Sequence, residues 1–180
     1  AVADFATEHA RLLIGGAVVL VILVVGVALV RSGSERADER AAAKLTEAWG
    51  DYSRGQLDPA AALGEEILRE AGGTSVGKRT LLLLADIRYD QGRYTEAEEF
   101  YRRALEAFSS DAILGQAARR GLAAALENQS RFADAAAVYE ELAATAATPA
   151  TAAELRLDAG RNLLRAGKSA EAAAVFEELS

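Results

Sequence analysis

Four turn residues, Gly55, Gly92, Ser130 and Gly167, stand 37, 38 and 37 residues apart, and the same apolar pattern surrounds each. An alanine follows each of them five residues later: Ala60, Ala97, Ala135 and Ala172. An aromatic follows the last three after nine residues: Tyr101, Tyr139 and Phe176. A fixed period of this length constrains the fold more than any single motif. A short unit that cannot bury its own apolar surface must stack on its neighbours, which gives a solenoid. The unit is clearest over residues 81–108. There Leu81, Leu84 and Ala85 form an i, i+3, i+4 stripe, Gly92 interrupts it, and Ala97, Tyr101, Ala104 and Phe108 form a second. This predicts a helical hairpin in which small Ala85 and Ala97 allow close approach and Tyr101 fills the gap. Apolar surface remains for the next hairpin. Rich use of Ala, Glu and Arg with only 2 prolines suits an all-α chain.

These positions resemble the tetratricopeptide repeat, whose pattern sets Leu and a small residue before the turn, an aromatic just after it, then Ala and a second aromatic. Leu84, Ala85, Gly92, Tyr94, Ala97, Tyr101 and Ala104 carry it in the second unit. Leu122, Ala123, Phe132, Ala135 and Tyr139 carry it in the third, with Ser130 in place of Gly. The fourth keeps Gly160, Gly167, Ala172 and Phe176 but has Ser169 for the turn aromatic. The first is degenerate: Ala48 and Ala60 fit, while Gly64 stands where the second aromatic belongs. The resemblance covers about residues 41–180. Its surplus over the usual period of about 34 residues falls in links at Ser109–Asp111 and Thr145–Thr151, where Pro149 forbids an uninterrupted helix.

Ahead of the repeats, Leu12–Val30 is a run of nineteen uncharged residues rich in Leu, Val and Ile. As a helix it reaches about 28 Å, close to the hydrocarbon thickness of a bilayer. It lacks the short apolar core and small-residue cleavage site of a signal peptide, and the polar face of a core helix. A retained transmembrane helix is therefore expected. The organisation predicted is a short N-terminal tail at 1–11, the transmembrane helix at 12–30, a connector and helix start at 31–40, and about four repeats over 41–180. Gly15, Gly16, Ala17 and Gly26 are candidates for close packing against a partner membrane helix, or simply the ordinary glycine content of such spans. Ser32 and Glu35 have capping-box spacing, so the next helix is expected from Glu35 to about Arg54, with Trp49 in the repeat core.

Catalytic constellations are missing. The lone histidine, His9, adjoins the span, and there is no cysteine, so neither a triad nor a zinc site can be assembled. No metal or cofactor is expected. Gly72–Lys78 imitates a phosphate loop, but Arg79 replaces the required Ser or Thr and the preceding segment reads as helix, so an inter-repeat turn is expected. The acidic pairs Glu65-Glu66, Glu140-Glu141 and Glu177-Glu178 recur at one repeat position, which predicts a solvated face and not an acid–base dyad. A net charge of −7 without a basic face argues against nucleic acid, and no small-molecule substrate is expected.

In the repeat family the first helix of each hairpin lines the inner groove. The resemblance thus places Arg79, Asp86, Tyr89, Asp90, Arg120, Glu127, Asn128, Arg161 and Arg165 there as candidate partner contacts, with an ordinary solvated face as the alternative. The family's carboxylate clamp for C-terminal peptides needs a Lys and Asn set that is absent.

A single span followed by degenerate repeats also resembles the bacterial family that includes the ancillary subunit of the Sec translocon. The resemblance implies a non-enzymatic, single-pass scaffold or accessory subunit at the inner membrane, its repeats in the periplasm, held by bilayer and membrane complex. A constitutive subunit of a respiratory or photosynthetic complex and a peptide-binding chaperone cofactor are the alternatives. Flanking charge points the other way, since only Arg11 precedes the span while Arg31, Arg36, Arg40 and Lys44 follow it.

Overall fold

A computed structural model describes residues 38–179 together with Leu20, Val21 and Val25. Helix α1 is described over residues 38–53. It is followed by α2 (Leu57–Ala71), α3 (Ser75–Asp90), α4 (Tyr94–Ala107), α5 (Ala112–Asn128), α6 (Phe132–Ala144), α7 (Pro149–Arg165) and α8 (Ser169–Glu178). From α2 onward each helix packs on its chain neighbours, and α3 also touches α5. The result is an all-α solenoid of hairpins α1/α2, α3/α4, α5/α6 and α7/α8. Among the described residues no helix is long and apolar enough to cross a membrane. The expected span Leu12–Val30 lies outside them apart from Leu20, Val21 and Val25, as do Gly15, Gly16, Ala17, Gly26, His9 and the Ser32–Glu35 capping box.

The turns explain the period. Gly55, Gly92 and Gly167 have φ of 77°, 73° and 77°, and Ser130 occupies the same left-handed region at 60°. In each turn the next backbone N–H donates back to the carbonyl five residues earlier: Gln56 to Asp51, Arg93 to Arg88, Arg131 to Leu126, and Lys168 to Leu163, all at 2.8–2.9 Å. This is the Schellman closure, which requires positive φ at the residue it encloses. Arg93, Arg131 and Lys168 then cap the second helices without a side-chain acceptor. Each pairs instead with an acid three residues on, Glu96, Asp134 and Glu171, which sits favourably in the positive first turn. First helices start differently: Thr74, Asp111 and Thr148 accept backbone N–H bonds from Gly77, Ile113 and Leu114, and Thr151. Pro149 opens α7, so both links fall where the sequence puts them.

The two predicted stripes are the core. Leu81, Leu84, Ala85, Ala97, Tyr101, Ala104 and Phe108 are all buried, and the alanine five residues after each turn is fully buried in every hairpin. Full burial of a Leu side chain is worth about 1.5–3 kcal/mol, so the apolar seam between hairpins carries most of the stability. Gly121 admits the Tyr101 ring, since a Cβ there would lie 2.2 Å from it, and Gly160 admits Phe176 in the same way at 2.4 Å. Where the first hairpin has Gly64 in place of the aromatic, Leu84 of the next hairpin fills the space, 2.8 Å from the missing Cβ.

Candidate protein-interaction surface

The first helices α1, α3, α5 and α7 form one continuous face. Of the nine predicted contact residues on it, most are already engaged. Asp90 accepts a hydrogen bond from the Tyr52 hydroxyl at 2.7 Å. The Tyr89 hydroxyl accepts from Asn128 Nδ2 at 2.9 Å, and Glu127 accepts from Asn162 Nδ2 at 2.6 Å. These three bonds run from hairpin to hairpin, α1 to α3, α3 to α5 and α5 to α7, so the residues read as free contacts are first of all inter-repeat ties. Asp86 accepts from Tyr101 within its own hairpin at 2.6 Å. Burial raises its carboxyl above the usual range, with the charge of Asp90 adding and the Tyr101 bond opposing. Burial, helped by Asp86, likewise pushes the Tyr101 hydroxyl up, as burial and Asp90 do for Tyr52. Tyr139 is pushed up to about 12 by burial and the charges of Glu127 and Asp158.

The cations divide. Arg161 pairs with Asp158 at 2.9 Å on its own helix. Arg165 is drawn to the hairpin end, its guanidinium 4.0 Å from the centre of the Phe132 ring, and so binds the preceding turn and not the groove. Arg79 and Arg120 are exposed, and among the described residues neither has an ion-pair partner.

Sequence reasoning missed the apolar part of this face. Trp49, expected in the core, is 42% exposed and stands edge-on to Tyr52 with ring centres 5.6 Å apart. With Ala42, Leu45 and Thr46 of α1, Val76, Arg79 and Leu82 of α3, and Leu114 of α5, it lines a cavity of about 400 Å³. The remaining exposed large apolar residues of the repeats, Ile113, Leu157 and Leu164, also lie on first helices. The signal was present as apolar residues off the buried stripe of a first helix, of which Leu157 and Leu164 seven residues apart are the plainest case.

One other expectation changes, and one holds. Two of the three acidic pairs are not merely solvated: Glu65 accepts from buried Arg88, Glu66 pairs with Lys44 at 2.8 Å, and Glu141 and Glu140 approach Arg119 and Arg156 at 3.7 and 3.9 Å. They join second helices to the first helices on either side, Glu66 and Glu141 to the preceding one and Glu65 and Glu140 to the following one. Gly72–Lys78 is the turn from α2 to α3, with its Thr74 hydroxyl spent on capping and Gly77 pressed against the Ala71 carbonyl, its absent Cβ 2.1 Å away. A helix and not a strand leads into it, so it is the inter-repeat turn expected and not the strand–loop–helix of a phosphate loop.

Known proteins place this arrangement. A solved structure of the nearly identical TPR-like repeats of a Podosopora anserina candidate kinesin light chain superposes with a TM-score of 0.65 at 18% identity, over 78% of this chain and 73% of that one. A single-substitution variant of the same repeats gives 0.63 at 18% identity over the same shares. At that identity the likeness is one of fold. No curated protein matches the sequence. The profile of the tetratricopeptide repeat-like domain matches residues 4–179, and with four hairpins closed by one turn geometry the chain belongs to that family.

Proposed function

We propose that this chain is a membrane-anchored accessory subunit whose first-helix face docks a protein of an integral membrane complex. Tetratricopeptide-like repeats are protein-interaction scaffolds, typically without enzymatic activity. The observation that carries the docking assignment is the segregation of exposed apolar side chains. Trp49, Ile113, Leu157 and Leu164 all lie on first helices, and a face of this kind marks an interaction site when it is contiguous and rimmed by polar groups. The anchor is supported by the nineteen uncharged residues of Leu12–Val30 and by Leu20, Val21 and Val25, which are helical and exposed. The resemblance to the family of the ancillary translocon subunit supports a bacterial inner membrane with periplasmic repeats. Span and repeats then act as two linked contacts, each raising the effective concentration of the other.

Purification of the intact chain in mild detergent tests this. Integral membrane subunits should co-purify with the parent and be lost from Trp49→Ser/Leu157→Ser/Leu164→Ser, which keeps its helicity. Identical co-purifying subunits with the triple variant, or a parent chain that elutes alone, would overturn it.

A further inference from the structure

Along α3 the docking face carries a charge order. Arg79, Leu82 and Asp86 follow one another at i, i+3 and i+7 on one side of the helix, with Asp90 one turn beyond. Seven residues of helix place the cation and the first carboxylate about 10 Å apart. The cation stands in the wall of the apolar cavity, which on this helix is lined by Val76, Arg79 and Leu82, and the carboxylates lie beyond its Leu82 end. The acidic end is continuous with it, because the Tyr52 ring touches Trp49 and the Tyr52 hydroxyl donates to Asp90. Neither end is neutralised within the described chain. Tyrosine hydroxyls solvate Asp86 and Asp90 without cancelling their charge, and Arg79 has no acidic partner there. Of the other arginines of the hairpin, Arg88, Arg93 and Arg102 are paired with acids and Arg103 lies over the Phe100 ring. An unpaired cation in the wall of an apolar hollow, with carboxylates beyond one end of it, matches a ligand of the opposite charge order.

We propose that the occupant of this face is an amphipathic helix of a partner protein presenting an acidic residue, a bulky apolar residue and a basic residue at i, i+3 and i+7. The apolar side chain enters the cavity against Trp49, the acid meets Arg79, and the base meets Asp86 and Asp90. This is helix-in-groove recognition with charge setting specificity. It rests on the docking reading above and adds the chemistry of the partner.

Trp49 is the only tryptophan of the chain, so its emission reports occupancy directly. The full chain in lipid nanodiscs is titrated with tryptophan-free helical peptides carrying Glu, Leu and Lys at that spacing, and with versions bearing Gln and Gln, Lys and Lys, or Glu and Glu at the charged positions. The Glu–Leu–Lys peptide should shift the emission to shorter wavelength and bind tightest, with the Gln version weaker by about fivefold at low salt. Arg79→Glu changes an exposed, unpartnered side chain and leaves the fold intact, as thermal unfolding checks. It should make the Lys–Leu–Lys peptide the tightest. Equal affinity of the charged and neutral peptides, an unaltered ranking in Arg79→Glu, or no change of Trp49 emission with any peptide would each overturn the proposal. If subunit co-purification still depends on the apolar side chains while the peptide ranking is flat, docking stands and only the charge order fails.

Discussion

Two carboxylates show how the same residue chemistry serves opposite ends when its surroundings differ. Glu98 is 9% exposed at the junction of the second and third hairpins. It accepts from Gln129 at 2.9 Å, from Arg102 at 2.9 Å and from Arg131 at 2.7 Å. Burial alone would raise its carboxyl, but those three donors outweigh it and hold the group below the usual range. A depressed carboxyl stabilises the fold above its unfolded pKa, and that stability is lost as pH falls through the folded value. Asp86 has the other sign. Its raised carboxyl contributes stability that is full below the ordinary aspartate range and is lost as pH rises through the folded value. Urea unfolding as a function of pH should separate them. Glu98→Gln should cost about 1–3 kcal/mol near neutrality, and the gap from the parent should close below about pH 4. Asp86→Asn, which keeps an acceptor for Tyr101, should be neutral in acid and gain on the parent towards neutrality. Parallel profiles for parent and both variants would refute the assignment.

At the scale of elements, the hairpin turn decides where each pair of helices ends. All four turns use the Schellman closure, but only the third asks an L-residue to adopt positive φ, at Ser130. Left-handed geometry costs a non-glycine residue about 1–2 kcal/mol, partly offset because glycine loses more entropy on folding. Ser130→Gly should therefore raise stability by roughly 0.5–1 kcal/mol, seen as a higher thermal midpoint with unchanged helicity. A lower midpoint would mean that the serine contributes something the turn geometry does not show. The complementary pattern at second-helix starts, a basic cap and an acid three residues on, stabilises each start only modestly because both partners are exposed.

For the whole molecule, packing between chain neighbours makes stability close to a sum over hairpins and the interfaces between them. Removing α7 and α8 should leave the first three hairpins folded while uncovering Leu142 and Ala143, which are buried at the α6–α7 junction. The shortened chain is expected to keep its remaining helicity, unfold at lower urea, and lose roughly a quarter of its denaturant slope, which scales with the surface exposed on unfolding. Complete loss of helicity would show instead that the array folds only as a unit. The cavity lined by Trp49 draws on α1, α3 and α5 alone, so its occupancy should survive this truncation.

The sequence by itself determined the all-α class, the positions of the four turns, the buried alanines and the Tyr101–Phe108 stripe, because these depend on local periodicity and on backbone geometry that only a few residues tolerate. It also located both long links, since Pro149 and the capping residues Asp111 and Thr148 act within a turn of themselves. Only the tertiary structure decided what the polar residues of the first helices do. Asp90, Tyr89, Glu127 and Asn128 have the character of contact residues in one helix, yet each bonds across a hairpin boundary, at sequence separations of 35–39 residues that no local pattern encodes. Trp49 shows the converse. Its size and hydrophobicity favour burial, but the hairpin turn sets it on the face where α1, α3 and α5 leave a hollow instead of a seam, so packing geometry and not composition exposes it.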